Sequence, residues 1–370
     1  MIIGVPKEIK NHEYRVGLTP SSVIECIAHG HKVLIESNAG VGIGATDTDY
    51  TNAGAKVIGS VSDIFAMADM IVKVKEPQAS ERAMLREGQI LYTYLHLAPD
   101  PEQTADLVKS GAICIAYETV TSPLGGLPLL APMSKVAGRL AIQAGAHCLE
   151  QPQGGLGMLL GGVPGVEAAN VVILGSGIVG THAAHIAVGM GANVVVLDNN
   201  ADTLEQHWRQ FGRDTTGVFS TKGSLEKHIM TADLVIGGVL IPGAEAPKLV
   251  SKEMIRNMKK GAVIVDVAID QGGCFETSKP TTYADPTYLV DNVVHYCVAN
   301  MPGAVPNTST YALNNVTLPF ALAIADNGVS QALKNDPHLR QGLNVHTGNI
   351  TYQQVAEELS YDYTPAETLI

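Results

Sequence analysis

Short apolar runs rich in Val and Ile alternate with segments whose apolar residues recur every three or four positions, and this alternation runs through most of the chain. The first third predicts strands at Ile2–Val5, Lys32–Glu36, Met70–Lys75, Ile90–Leu95 and Ala112–Tyr117. Between them the spacing predicts helices at Pro20–His29, Ser62–Ala68, Ser80–Glu87 and Pro101–Lys109, three of them stopped by Gly30, Gly88 and Gly111. The stretch Pro132–Glu150 carries Met133, Val136, Leu140, Ala144 and Cys148 at helical spacing without turn chemistry, which predicts one long helix linking two domains. After the glycine-rich run Gly154–Gly165, strands are expected at Asn170–Leu174, Asn193–Leu197, Leu234–Leu240, Ala262–Ala268 and Val293–Val298. Beyond Asn307 the pattern reads as mainly helical, a tail packing back on the first domain. Strands that alternate with helices build parallel sheets. The expected fold is α/β: two Rossmann-like domains with parallel sheets and a cleft between them. The expected boundaries are 1–130 completed by 306–370, and 131–305.

Composition narrows the class. With 370 residues, 46% of them hydrophobic and 16% charged, the chain can bury large cores and is not disordered. The formal charge is −12 and no Lys/Arg cluster stands out, which argues against nucleic acid or an anionic membrane as a partner. Five scattered cysteines, odd in number and without a C-x-x-C pair, read as reduced thiols and not as a zinc site or a disulfide framework. The opening Met1–Glu8 is a strand and a polar turn, not a leader, and the apolar stretches near 155–175 and 233–241 are interrupted before spanning length. A soluble, cytoplasmic protein is expected. Trp208 and Phe211 read as core residues; His182 and His185 lack a third ligand nearby, so no metal site is expected.

The sharpest local signal is Val171-Val-Ile-Leu-Gly175-Ser-Gly177-Ile-Val-Gly180, a G-x-G-x-x-G after an apolar strand, followed by the helical run Thr181–Met190 and a second strand ending at Asp198. In this motif Gly175 allows the tight turn, Gly177 lets a pyrophosphate approach the backbone, and Gly180 lets helix and strand pack closely. The helix N-terminus offers unpaired N–H groups and a positive dipole end to the phosphates. Asp198, 18 residues after Gly180, is placed to bond both ribose hydroxyls and to repel a 2′-phosphate, which favours NAD over NADP. Ser220, Val239-Leu240 and Val267–Asp270 fall at or just after the ends of further strands, the edge where open α/β sheets bind ligands.

Candidate chemistry collects at strand ends. Lys75 and His96 end two predicted strands of the first domain and share an edge if those strands are parallel; Arg15, in the polar loop after the first strand, could reach the same edge. Asp270 follows a strand of the second domain. Hydride transfer from an amino acid needs a cation for the carboxylate, a donor for the developing oxygen and an acid/base. Taken singly, an Arg or Lys is commonly a solvated surface residue and a His after a strand commonly structural, so residue types alone leave the assignment open.

Longer motifs go further. Gly4-Val-Pro-Lys-Glu with Glu13-Tyr-Arg15-Val, Val74-Lys75-Glu-Pro77, Leu95-His96-Leu, Tyr117-Glu-Thr119, Leu130-Ala-Pro-Met-Ser134, Val136-Ala-Gly-Arg139, Gly161-Gly-Val-Pro-Gly165, Asp266-Val-Ala-Ile-Asp270-Gln-Gly-Gly273 and Tyr296-Cys-Val-Ala-Asn300-Met-Pro302 resemble the alanine dehydrogenase and pyridine nucleotide transhydrogenase family across nearly the whole chain. The resemblance, nearest to its alanine dehydrogenase branch, implies NAD-dependent interconversion of L-alanine with pyruvate and ammonia. It implies that Arg15 and Lys75 bind the substrate and that His96 and Asp270 are the acid/base residues. Ser134, Ile178, Val179, Asp198, Ser220, Val239, Leu240, Val267, Ala268, Ile269, Asp270, Lys279, Val298, Ala299, Asn300 and Met301 would line the NAD site with Gly175, Gly177 and Gly180. It also implies a homo-oligomer, commonly a hexamer. Thr203 departs from the pattern, standing where the family often carries a basic residue near the adenosine end. The main rival is a transhydrogenase nucleotide-binding subunit, expected beside membrane segments that this chain does not show; opine- or saccharopine-type dehydrogenases and a non-enzymatic NAD-binding protein are further rivals.

Overall fold

Val- and Ile-rich runs need both faces covered when they pair in parallel, and the folded chain supplies that cover twice. The computed structural model describes residues 1–239 and 246–370. Their contacts separate two units, Met1–Met133 with Gly303–Ile370, and Ser134–Pro302. The first unit opens with β1 (Ile2–Val5), β2 (Lys32–Glu36), β3 (Lys56–Ile58), β4 (Met70–Val72), β5 (Ile90–Thr93) and β6 (Ile113–Ala116). The second contains β7 (Asn170–Leu174), β8 (Asn193–Asp198), β9 (Thr215–Phe219), β10 (Leu234–Gly237), β11 (Val263–Asp266), β12 (Thr287–Val290) and β13 (Val293–Tyr296). The chain then returns to the first unit with β14 (Leu343–His346) and β15 (Asn349–Ile350).

The first sheet runs β15-β14-β6-β5-β4-β1-β2-β3 and the second β12-β13-β11-β10-β7-β8-β9. Strands β1–β6 are parallel, as are β7–β11 with β13; only the edges carry antiparallel additions, β14 with β15 and β12. The period of two sends Ile3, Ile35, Val72, Tyr92 and Ile115 into one core of the first unit, against Leu313 and Ile324 of helix Pro306–Asn327. Their neighbours Leu34, Ile71, Leu91 and Cys114 enter the other, against Ile64, Phe65 and Leu107. The second sheet divides in the same way, with Val171, Ile173 and Val265 on one side and Val172, Leu174 and Ile264 on the other. All five cysteines are free and buried.

Several expectations are corrected. The C-terminal region is mainly helical, but it also carries a hairpin, β14 and β15, that extends the first sheet antiparallel to β6. Its two-residue loop, Thr347-Gly348, has φ of 46° and 90°, the sign of a primed turn that matches strand twist. Strands β4 and β5 stop at Val72 and Thr93, so Lys75 and His96 each lie three residues past a strand instead of ending it. The helix expected at Ser80–Glu87 is the single turn Ala79–Arg82, and strands β3, β9 and β12 escaped the pattern because they are short or polar on one face. Trp208 is 54% exposed: helix Ala201–Phe211 buries His207 and Phe211, four apart, and turns the position between them outward.

Helix Pro306–Asn327 is tied to the loop after β1 by one buried side chain. Asn314 Oδ1 accepts from the Thr19 N–H at 2.9 Å and from Ser22 Oγ at 2.8 Å, while Nδ2 donates to the Gly17 carbonyl at 3.0 Å. Thr19 in turn caps helix Pro20–Ala28. Asn314→Leu leaves these groups buried and unpaired, so it should cost about 2–3 kcal/mol, read as a lower urea midpoint of unfolding. An unchanged midpoint would mean that water replaces the amide.

Candidate active site

Because β1, β4, β5 and β6 are adjacent and parallel, the segments leaving them share one edge of the first sheet. The exit of β1 carries Glu8, Glu13 and Arg15, that of β4 Lys73 and Lys75, that of β5 Tyr94 and His96, and that of β6 Glu118. Sequence reasoning named only Arg15, Lys75 and His96. Glu8, Glu13 and Glu118 lie within the family-like motifs, but their pairing depends on burial that no single motif displays.

Arg15 is not a surface cation: it is 2% exposed. Its Nε donates to Glu13 Oε1 at 2.6 Å and Nη2 to Glu13 Oε2 at 2.5 Å, a two-toothed clamp, while Nη1 meets Met133 Sδ at 3.0 Å. Burial works against the charge, but the Glu13 carboxylate more than offsets it and holds the guanidinium above its ordinary value. Lys73 is fully buried, with Nζ at 3.0 Å from Glu8 and 2.7 Å from Glu81. Burial again opposes the charge, and the two carboxylates outweigh it, raising the ammonium above its usual value. Glu8 is pushed upward by burial, against the pull of Lys73. Glu8 Oε1 also accepts the Val74 N–H at 2.6 Å and the Lys75 N–H at 3.4 Å, fixing the segment that leads into half-buried Lys75. The Lys75 carbonyl accepts from Thr93 Oγ1 at 3.0 Å. His96 stacks nearly flat on Tyr94, with centroids 5.8 Å apart and planes 5° from parallel.

In the second unit Gly175 and Gly180 have the turn and the close packing that their spacing predicts. Gly175 has φ +90°, and a Cβ on Gly180 would lie 1.8 Å from the Gly175 carbonyl oxygen. A Cβ on Gly177, which N-caps helix Ile178–Gly189, would meet nothing within 4 Å among the described residues. Asp198 ends β8; its Oδ2 accepts from the Ser176 N–H at 2.7 Å and Ser176 Oγ at 3.0 Å, and its Oδ1 from the Asn200 N–H at 2.9 Å. Carboxylate and glycine loop are thus one unit, with one acceptor position left on Oδ1. Ile178 is exposed and Val179 buried on the first helical turn; Ser220 follows β9, its N–H on the Asp198 carbonyl at 2.8 Å. Thr203 sits in the first turn of the next helix, its N–H on Asn200 Oδ1 at 3.1 Å.

Val239 follows β10, while Leu240 lies outside the described residues. Val267, Ala268, Ile269 and exposed Asp270 form a 3-10 turn after β11, held by buried Asp266, which accepts from the Ala268 N–H at 3.2 Å, the Cys274 N–H at 2.9 Å and Ser278 Oγ at 2.5 Å. Val298, Ala299, Asn300 and Met301 follow β13, with Asn300 at φ 59°. Exposed Lys279 anchors through its N–H to Tyr288 Oη at 2.7 Å, and Ser134 lies in the first turn of helix Ala131–Cys148. Arg15, Lys75 and His96 therefore belong to the first unit, and Asp270 and the residues expected to line a nucleotide to the second. Among the described residues no three His, Cys, Asp or Glu side chains converge as a metal site, and no helix is long and apolar enough to cross a membrane.

Two parallel α/β sheets, one with a glycine loop and strand-end carboxylate, the other with paired cations and an imidazole at its strand exits, define a Rossmann-type dinucleotide-binding protein with a second chemistry-bearing unit. Comparison with known proteins narrows this class. Residues 4–137 match the family model for the alanine dehydrogenase/PNT N-terminal domain and residues 141–353 that for its C-terminal domain. The chain belongs to the alanine dehydrogenase/PNT family. It is 57% identical to an alanine dehydrogenase of Halomonas elongata and 53% identical to one of Mycobacterium tuberculosis, each over all of both chains. A solved L-alanine dehydrogenase superposes with a TM-score of 0.95 at 50% identity, covering 97% of this chain and 99% of that one. A transhydrogenase from Sinorhizobium meliloti superposes at 0.81 with 25% identity, over 95% and 99%.

The glycine geometry separates two variants that look alike on paper. Gly180→Ala should destabilise the protein by roughly 3 kcal/mol, because backbone must move to admit the methyl. Gly177→Ala, at an ordinary φ of −69° and in open space, should melt within about 1 °C of the parent. Thermal unfolding of both reads this directly, and equal losses would contradict it.

Proposed function

We propose that the protein catalyses the reversible, NAD-dependent oxidative deamination of L-alanine to pyruvate and ammonia. The observation that carries this reading is the gathering of Arg15, Lys75 and His96 at neighbouring parallel strand exits, in a chain 57% identical over its full length to an alanine dehydrogenase. The glycine loop and Asp198 suit a dinucleotide on three counts: no described residue within 4 Å of a Cβ on Gly177, a helix start whose first N–H groups have no intrahelical acceptor, and a strand-end carboxylate that disfavours a 2′-phosphate. Ser134, Ile178, Val179, Ser220, Val239, Leu240, Val267–Asp270, Lys279 and Val298–Met301 complete the proposed contacts. Bound NAD supplies the hydride acceptor, and the reduced form returns the hydride in amination.

The chain's own residues do the rest. Arg15, its Nε edge already clamped by Glu13, holds the alanine carboxylate, and a pre-set guanidinium loses little entropy in doing so. Once the alanine ammonium has given up a proton to the acid/base groups, loss of hydride from Cα leaves an iminium. Water adds to it as His96 takes a proton, and the carbinolamine collapses, expelling ammonia and leaving the pyruvate carbonyl. Lys75 stabilises the oxygen charge as it develops. Asp270 shares the acid/base work. The balance is alanine, NAD and water to pyruvate, ammonium, NADH and one proton. A cytoplasmic homohexamer serving alanine catabolism belongs to the same reading. The likeness to the transhydrogenase supports a second one, a nucleotide-binding module without an amino-acid site.

NADH formation, followed by absorbance with alanine as sole substrate and then with serine, glycine or saccharopine, decides between them. Alanine should be the best substrate; no NADH from any of the four would leave the binding module. Arg15→Ala should raise the KM for alanine and pyruvate strongly while NADH binding, followed by fluorescence quenching, holds. An equal loss of NADH affinity would assign Arg15 to the fold.

Cofactor choice tests Asp198. Asp198→Gly removes a charge-assisted bond worth roughly 1.5–3 kcal/mol, so the NAD/NADP preference in kcat/KM should fall at least about tenfold. Affinity for both should also drop, since Ser176 loses its anchor. An unchanged preference would remove Asp198 from the ribose site.

A further inference from the structure

His96 adopts φ 51°, in the left-handed region that non-glycine residues seldom occupy. Such a conformation persists only where the surroundings hold it. Burial does not require it, because the imidazole is 43% exposed. What holds it is Glu118, on the 3-10 turn Tyr117–Thr119 that leaves β6 beside β5. Glu118 Oε1 accepts the His96 N–H at 2.6 Å and the Leu95 N–H at 3.2 Å, and Oε2 lies 3.2 Å from the same Leu95 N–H. Two successive backbone donors thus converge on one carboxylate that is only 14% exposed. The preceding carbonyl is fixed as well: Leu95 O accepts from Gln103 Nε2 at 2.7 Å. The ring's underside is set by Tyr94, whose hydroxyl donates to the Leu129 carbonyl at 2.5 Å. The nearest imidazole nitrogen, Nδ1, is 3.8 Å from Glu118 Oε1, beyond hydrogen-bond distance, so the carboxylate grips the backbone and not the ring.

We propose that Glu118 is the positioning residue for His96: its carboxylate clamps the left-handed turn at Leu95-His96 and so aims a solvent-accessible imidazole from a rigid base. This rests on His96 being the acid/base of the proposed reaction. An exposed N–H could bond water at little cost, whereas a desolvated carboxylate is expensive unless charge-assisted bonds compensate it. The clamp converts that desolvation into a fixed ring position, the condition under which proton transfer contributes most.

The test uses Glu118→Ala, Glu118→Gln, His96→Asn and the double variant Glu118→Ala/His96→Asn, in the full-length protein. His96→Asn alone tests the underlying reading and should lower kcat about a hundred- to ten-thousand-fold. Glu118→Ala should lower kcat about a hundredfold, with the KM for alanine and the affinity for NADH within about twofold. In Glu118→Gln the amide oxygen can still accept at the Oε1 position, so kcat should recover to within about tenfold of the parent. In the His96→Asn background, Glu118→Ala should cost nothing further, because a residue acting through His96 has nothing left to position. Near-parental turnover of His96→Asn would overturn the reading of His96 itself. A slow His96→Asn beside a fast Glu118→Ala would overturn only the clamp. So would multiplicative losses in the double variant, or a Glu118→Gln as slow as Glu118→Ala. If Glu118→Ala does not fold, Glu118→Gln with and without His96→Asn carries the same comparison.

Discussion

Parallel pairing of β1, β4, β5 and β6 is the constraint on which the first unit's chemistry depends. Parallel strands point their carboxyl ends the same way, so residues 8, 15, 73, 75, 96 and 118 leave four strands onto one edge despite their separation in sequence. Hairpins would have sent half of them to the opposite edge. The second unit obeys the same geometry: Gly175–Gly177, Asp198, Val239 and the Val267–Asp270 turn all leave parallel strands in one direction.

Gathering charges at a buried edge creates an electrostatic problem, and the structure answers it with pairs. Glu13 neutralises Arg15, and Glu8 with Glu81 neutralises Lys73, each at hydrogen-bonding distance. Breaking such a pair strands a charge in low dielectric, which costs far more than the intact pair contributes. The pairs also orient: Glu8 takes backbone N–H groups of Val74 and Lys75 besides the Lys73 ammonium, and Glu118 does the same for Leu95 and His96. Asp198 and Asp266 repeat the device in the second unit, one fastening the glycine loop and the other the turn before Asp270. At Lys75 and His96 the carboxylates act on backbone donors, so these groups are held by their main chain, whereas Arg15 is gripped through its guanidinium as well.

Much of this was legible in the residues. The apolar runs of both parallel sheets, the glycine motif with its carboxylate, and the long helix across the unit boundary follow from local periodicity and turn chemistry, because buried parallel strands and amphipathic helices write their environment into composition. The Thr347-Gly348 turn is equally present in the sequence, yet it does not disclose its hairpin, since a four-residue strand and a two-residue strand gain their identity from pairing with β6 and with each other. Trp208 shows the opposite failure: a large apolar residue is a core candidate by type, and only the phase of its helix sends it to solvent.

By itself, the sequence determined the class of fold and the glycine motif with its strand-end carboxylate, and it named Arg15, Lys75 and His96 as candidates. Only the tertiary structure decided how those three are held. Arg15 is buried and clamped instead of solvated, Lys75 and His96 stand past their strands instead of ending them, and Glu8, Glu13, Lys73 and Glu118 emerge as their supports. The reason is physical. Periodicity reports which residues one element buries, whereas the pairing of charges from different strand exits depends on sheet order and on the dielectric that burial creates, and neither is a property of any local stretch of chain.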